Sequence, residues 1–246
     1  MKKSLGQNFF INRNLSQQIA EIVLQENPDI IVEIGPGAGA FTQFFAKENT
    51  ELLAIEKDDS LSSDLETLYP SIAIKNIDFL DWDLSELDPF KEKKITFFGS
   101  LPYNVSKKII KKIISSKFFN SSSFFIIQKE VAEKYSAKEP DNNFLSLSTS
   151  LYADVNKLFN ISPESFKPKP KVNSTFIQFI PKDPLIVDIH SFEKFLRDSF
   201  RQPRKTLKNN LGKRYLFRVN DTLSFLQDRP QHLSLEQYLY LFNNLE

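Results

Sequence analysis

The sequence predicts an α/β fold, with a mostly parallel twisted sheet covered by helices on both faces, followed by a small C-terminal all-helical domain. Three observations carry this reading. Short runs of β-branched and aromatic residues alternate with stretches of helical spacing along most of the chain. A glycine-rich turn joins the first such strand to its helix. Beyond Pro181 and Pro184 only helical spacing is left.

In chain order, Leu15, Ile19, Ile22 and Val23 predict a helix over 14–26, capped by Asn14. Asp29-Ile30-Ile31-Val32-Glu33-Ile34 reads as a buried strand that stops at Gly35-Pro36-Gly37-Ala38-Gly39. Residues 40–47 are helical. Glu51–Glu56 is a second strand, followed by a helix over 58–68. Ile72–Lys75 and Ile95–Phe98 are further strands, 105–116 a helix, and Phe124–Gln128 a strand. Residues 166–171 are predicted to be irregular, because Pro168 and Pro170 remove backbone donors. A strand over Thr175–Ile180 precedes the proline-marked linker. Helical spacing then recurs at 189–200, 206–211, 220–227 and 234–244. This places one domain at 1–183 and a second at 184–246.

Composition narrows the chemistry. The chain has no cysteine, so disulfides, thiolate metal sites and cysteine nucleophiles are excluded. With only His190 and His232, no histidine-rich metal centre is expected. The first residues lack the apolar core of a secretory signal, and no apolar run reaches the length of a membrane span. The expectation is a cytoplasmic monomer with no membrane partner. Net charge is +1, but seven basic residues and no acid fall within 201–218 (Arg201, Arg204, Lys205, Lys208, Lys213, Arg214, Arg218). Five lysines and no acid fall within 104–117. Such clusters suit either phosphate contacts or a solvated face.

The glycine turn lies where ligands of an open α/β sheet bind, at the carboxyl end of a strand. Glycine lets that backbone turn sharply and approach a ligand closely. Glu56 ends the next strand, about twenty residues on, where a carboxylate can accept both hydroxyls of a ribose. NAD and S-adenosylmethionine both satisfy this pattern. Two residues favour the second. Glu33, just before the turn, is expected to repel a pyrophosphate, and Pro36 lacks an N–H that a phosphate would use. Asp78, after the third strand, is placed to reach an adenine amine, with Asp81 and Asp83 as nearby alternatives.

Ser100-Leu101-Pro102-Tyr103-Asn104 follows the fourth strand. An adenine 6-amino group is a poor nucleophile, because its lone pair is delocalised into the ring. A polar side chain and a backbone carbonyl that accept its two N–H groups favour a more tetrahedral nitrogen and stabilise the positive charge that grows on it. No strong base is needed, since the nitrogen becomes acidic as it is alkylated. Tyr103 offers a flat surface for an unstacked base, and Pro102 stiffens the loop.

At these residues the chain resembles the ribosomal RNA adenine dimethyltransferase family, the KsgA group, with the Erm resistance methyltransferases as relatives. Gly6-Gln7-Asn8-Phe9 is similar to its GQNF motif, Glu33–Gly37 to EIGPG and Ser100–Asn104 to NLPYN. Gln128–Val131 is similar to QKEV, Phe166–Ser174 to FxPxPKVxS and Arg204–Leu207 to RRKT. The resemblance runs nearly end to end. It implies a Rossmann-like S-adenosylmethionine-binding domain with cofactor contacts at Asn8, Phe10, Gly35, Gly37, Glu56, Asp78 and Ser100. It implies catalysis at Ser100, Leu101, Pro102 and Tyr103. It also implies dimethylation of two adjacent adenines in a hairpin loop near the 3′ end of small-subunit (16S) rRNA, in an immature 30S-type subunit. RNA would meet Lys169, Lys171, Arg201, Arg204, Lys205 and Lys208, and no metal is implied. The family usually has asparagine where this chain has Ser100. Serine keeps an acceptor oxygen on a shorter side chain, and activity is expected to survive. The competing functions are an Erm-type large-subunit (23S) enzyme, a weakly catalytic RNA-binding assembly factor and a nucleotide-dependent oxidoreductase, in which Ser100–Asn104 has no role. Of the smaller signals, His190 is expected at the surface or as a cap, and Trp82, Tyr135 and Tyr152 in packing. Phe10 serves either as a cofactor wall or as an anchor for the N-terminal arm.

Overall fold

The computed structural model describes residues 8–47, 50–183, 188–217 and 223–245. The chain divides into two compact units, Met1–Ala132 with Val155–Pro181, and Glu133–Asp154 with Lys182–Glu246.

The first unit is built on a seven-stranded sheet. Its strands are β2 (Ile30–Ile34), β3 (Glu51–Glu56), β4 (Ala73–Asn76), β5 (Ile95–Ser100), β6 (Ser123–Gln128), β7 (Ala153–Ile161) and β9 (Ser174–Pro181), in the order β4-β3-β2-β5-β6-β9-β7. β2 to β6 run parallel, and β9 pairs antiparallel with β6. The chain moves outward from β2 to β4, then crosses back to β5 on the other side of β2. That reversal opens a crevice beyond the carboxyl ends of β2 and β5. A separate two-residue ribbon joins β1 (Phe9–Phe10) antiparallel to β8 (Phe166–Lys167).

β2 is buried at all five positions, as a strand covered on both faces must be. In β5 successive side chains point to opposite faces. Phe98 meets Phe41 and Phe45 at ring distances of 4.8 and 5.1 Å, and Phe97 meets Phe79 at 6.4 Å. α1 (Arg13–Leu24) buries Ile19, Ala20 and Val23. Its cap is Asn12, whose side chain accepts the Leu15 N–H at 3.1 Å. The expected Asn14 cap is therefore corrected by two residues, and Asn14 lies inside the helix. α2 (Thr42–Phe45) is a single turn, shorter than the 40–47 expected. α3 (Asp59–Leu68) is capped by Asp58. α4 (Ser106–Ile114) buries Ile109, Ile110, Ile113 and Ile114 along one stripe.

The second unit contains α6 (Phe144–Thr149), α7 (Ile189–Ser199), α8 (Leu207–Leu211), α9 (Leu223–Leu226) and α10 (Leu235–Asn243), while α5 (Lys129–Tyr135) spans the chain boundary between the units. Leu147 and Leu151 belong to its core with Phe192, Phe195, Leu207, Tyr238 and Leu241. This is why the division differs from a single cut at 183/184: residues 133–154 lie early in the chain, but their apolar side chains are buried among the C-terminal helices. Two other features depart from expectation. Phe166–Lys167 forms a strand inside the segment expected to be irregular. β7, which was not expected, is an edge strand with most of its residues exposed. His190 is exposed in the first turn of α7, whose cap is Asp188. Pro184, residues 220–222, and Gly6 and Gln7 of the first motif lie outside the described residues. Among the described residues no helix is long and apolar enough to cross a membrane.

Candidate active site

The crevice between β2 and β5 holds a cavity of about 210 Å³. Asn8, Phe10, Gly35, Gly37, Glu56, Asp78, Ser100, Leu101, Pro102 and Tyr103 all line it, so the structure brings together every residue expected to bind cofactor or act in catalysis.

The glycine turn forms the floor. Gly35, Gly37 and Gly39 all have positive φ, which an L side chain adopts only with strain. At Gly37 a Cβ would also stand 3.3 Å from the Phe9 ring. The turn's donors are already engaged. Gly35 N–H donates to the Ile55 carbonyl at 2.9 Å, Gly37 N–H to Glu56 Oε2 at 3.0 Å and Gly39 N–H to the Pro36 carbonyl at 3.0 Å. A pyrophosphate would find these three amides taken, and a carboxylate in its place. Glu56 Oε1 accepts the Asp58 N–H at 2.9 Å. Each of its oxygens thus keeps one lone pair for a hydroxyl. Burial pushes the Glu56 carboxyl up, against the hydrogen bonds from Asp58 and Gly37.

Glu33 does not play the part expected of it. It is 1% exposed and does not line the cavity. Its Oε2 accepts the Thr42 hydroxyl at 2.7 Å, and its Oε1 has no partner. Burial raises its pKa to about 8, so at neutral pH the side chain is mostly uncharged and repels no phosphate. The case against a dinucleotide rests instead on Glu56 and on Pro36.

The opposite wall comes from the turn after β4. Burial alone would raise the Asp78 carboxyl, but the Lys57 ammonium at 2.7 Å and the Leu80 N–H at 2.9 Å outweigh it and hold it below its ordinary value. Lys57 and the exposed Ile77 line the cavity here. Neither was singled out from the sequence, although Lys57 directly follows Glu56.

β5 ends at Ser100, and Leu101 N–H still bonds the Ile126 carbonyl of β6 at 3.0 Å. The Ser100 hydroxyl has no hydrogen-bond partner among the described residues. The Pro102 carbonyl accepts both the Val105 and Ser106 N–H groups, at 3.2 and 3.0 Å, as α4 begins. Among the described residues the Leu101 carbonyl accepts no backbone N–H from a turn or loop. The Tyr103 hydroxyl lies 3.3 Å from the buried Ser174 hydroxyl of β9, which anchors the half-buried ring at the cavity. Ser174 and Phe9 are further lining residues that sequence reasoning missed. Phe10 is both wall and anchor: it lines the cavity and packs on Phe41 and Phe166 at ring distances of 4.9 and 5.0 Å.

The expected RNA contacts are not in this cavity. Lys169 pairs with Glu164, and Lys171 is exposed. Arg201, Arg204, Lys205 and Lys208 are exposed in the second unit. There the buried Asn210 organises residues 202–206: its Oδ1 accepts the Gln202 N–H at 2.6 Å, and its Nδ2 donates to the Gln202 and Thr206 carbonyls at 3.0 Å. Arg214 pairs with Asp198 at 3.6 Å, while Arg218 and the side chain of Lys213 lie outside the described residues. Trp82 and Tyr135 are buried, and the Tyr152 hydroxyl donates to Glu193, so all three serve packing.

The family model for ribosomal RNA adenine dimethylase matches residues 1–246. A ribosomal RNA small subunit methyltransferase A of Chlorobium phaeobacteroides is 36% identical, over 100% of this chain and 94% of its own. One from Mycoplasma mobile is 36% identical, over 99% and 98%. The crystal structure of a dimethyladenosine transferase from Plasmodium falciparum superposes with a TM-score of 0.81 at 22% identity, covering 95% of each chain. The 23S rRNA methyltransferase ErmE superposes at 0.76 and 22%, covering 97% and 99%. At that identity the two structures speak to the fold alone.

Proposed function

Because the chain belongs to the ribosomal RNA adenine dimethylase family, it is an S-adenosylmethionine-dependent rRNA adenine dimethyltransferase, and we propose that its target is the adjacent adenosine pair in the 3′-terminal hairpin loop of 16S rRNA. The enzyme acts as a cytoplasmic monomer on immature small subunits. The observation that carries this reading is the single cavity to which the ends of β3, β4 and β5 contribute Glu56, Asp78 and Ser100–Tyr103.

The residues fit the cofactor: a carboxylate with spare lone pairs, a second carboxylate at the adenine end, and a glycine turn whose positive φ angles disfavour side chains. Bound S-adenosylmethionine supplies an electrophilic methyl group on a sulfonium. Glu56 would accept hydrogen bonds from the ribose hydroxyls, and Asp78 one from the adenine amine. Asn8 and Phe10 close the pocket from the N-terminal arm. The Ser100 Oγ and the Leu101 carbonyl would accept hydrogen bonds from the two N–H groups of the target amine, orienting its lone pair for methyl transfer. Tyr103 carries the extruded base, and Pro102 fixes the turn. Lys169, Lys171, Arg201, Arg204, Lys205 and Lys208 meet phosphates of the RNA.

The small-subunit target is favoured over the large one by the full-length relatives at 35–36% identity, which are named for small-subunit methylation. The test is transfer of labelled methyl groups to immature small and large subunits offered separately. Label is expected only in the small subunit, as dimethyladenosine. Label only in the large subunit would redirect the assignment, and label in neither, with S-adenosylhomocysteine still bound, would make the protein an assembly factor. For the basic cluster, the double variant Arg204→Ala/Lys205→Ala is expected to weaken small-subunit binding about tenfold at moderate salt. It should also flatten the log–log dependence of affinity on salt by about one to two in slope. An unchanged slope in a filter-binding titration would remove these residues from the phosphate contacts.

A further inference from the structure

We propose that Lys112 is a positioning residue for cofactor binding, locking the turn after β4 that presents Asp78 to the cavity. The proposal rests on the reading of that cavity as the S-adenosylmethionine site.

The sequence left the lysines of α4 undecided between RNA contact and a solvated face. Lys112 is neither. It lies on the helix that begins beside the catalytic tetrapeptide and reaches back to the turn after β4. Its Nζ donates to the carbonyls of Phe79 and Leu80, both at 2.9 Å, and to that of Trp82. An ammonium has three protons and here meets three acceptors. It also lies 5.4 Å from the centre of the Phe79 ring. Burial pushes its pKa down, while Asp81, Asp83 and Asp78 oppose the fall.

The three carbonyls converge on Lys112, and N–H groups of the same turn converge on Asp78. Leu80 N–H donates to Asp78 Oδ1 at 2.9 Å, and the Asp81 and Trp82 N–H groups donate to the Asp78 carbonyl at 2.9 and 3.0 Å. The turn is thus held between the Lys112 ammonium and Asp78, and Asp78 is oriented both by this turn and by its ion pair with Lys57. Without the charge three carbonyls lose their donor together, and only the hydrogen bonds to Asp78, from its own turn and from Lys57, are left to hold the turn. Lys112 does not itself line the cavity, so its effect passes through Asp78 and Phe79.

The experiment compares wild type, Lys112→Met and Lys112→Arg in calorimetric binding of S-adenosylhomocysteine, amide exchange and steady-state methylation. Lys112→Met is expected to weaken S-adenosylhomocysteine binding about tenfold to a hundredfold, the range for losing charged hydrogen bonds. The KM for S-adenosylmethionine should rise in step, with kcat at saturation kept within about threefold. Amides 79–83 should exchange faster while those of β2 and β5 do not. Arginine keeps the charge but spreads its donors over a planar fork, so Lys112→Arg should fall between the two, a few-fold below wild type. If the methionine variant does not fold, that few-fold loss with exchange confined to 79–83 carries the expectation. Affinity within twofold of wild type in Lys112→Met overturns the proposal, as does the same result in Lys112→Arg where the methionine variant does not fold. So does a loss accompanied by faster exchange throughout the sheet and no recovery with arginine. Wild-type protein that fails to bind S-adenosylhomocysteine overturns the cofactor reading itself, and the proposal with it.

Discussion

Replacing Tyr103 by alanine is expected to slow methyl transfer about a hundredfold or more, with S-adenosylhomocysteine affinity within about threefold of wild type. Stacking of a base on an aromatic ring contributes about 1–3 kcal/mol. Misplacing a reacting nitrogen by an ångström costs about a further hundredfold in favourable cases. Both effects fall on the step in which the target amine meets the methyl group. The ring is held at the cavity by its hydroxyl, 3.3 Å from the buried Ser174 Oγ, and by the turn at Pro102. Tyr103→Phe keeps the ring and loses only that anchor, so its rate should stay within about fivefold of wild type. Single-turnover methylation of immature small subunits separates the two variants. A Tyr103→Ala enzyme with a wild-type rate would mean that the base rests elsewhere.

What could be read from the sequence was whatever depends on neighbours in the chain. β2, β3, β5 and β6 announce themselves as short apolar runs, because strands buried on both faces need them. The glycine turn announces itself through backbone conformations that only glycine adopts freely. Ser100–Tyr103 could be read because its chemistry is contained in consecutive residues. What failed was whatever depends on partners far along the chain. Residues 133–154 join the second unit because Leu147 and Leu151 are buried with Phe192, Phe195 and Tyr238, and no local signal says so. β7 was invisible because an edge strand exposed along most of its length needs no continuous apolar run. Lys57 and Lys112 look alike in sequence as solvated lysines. Only the folded turn after β4 gives one a carboxylate and the other three carbonyls. Glu33 is the clearest case: its position beside the turn was legible, and its charge state was not, because burial sets it.

That charge state leads to the second large effect. The Glu33 carboxyl titrates near 8 in the folded protein against 4.5 for the unperturbed side chain, chiefly because it is buried. Below pH 4.5 both states are protonated, and the group contributes no pH dependence. Between 4.5 and 8 the unfolded chain releases the proton and the folded protein keeps it. Folding stability therefore falls as pH rises, by about 1.4 kcal/mol per pH unit and about 5 kcal/mol across the window. Above 8 both states are ionised, and the loss is complete. Glu33→Gln keeps the shape and the acceptor for Thr42 and removes the proton. In denaturant titrations of the cofactor-free protein the variant should lose most of this slope between pH 5 and pH 8. Its advantage over wild type should be greatest at pH 8. A residual slope of the same sign is expected from Glu56, whose carboxyl is also raised by burial. Wild-type stability that is flat or rising over this interval, or an equal slope in the variant, would show that Glu33 is ionised beneath the glycine turn. The carboxylate would then be an anion under the cofactor's floor, and the repulsion of a pyrophosphate first expected of it would be restored.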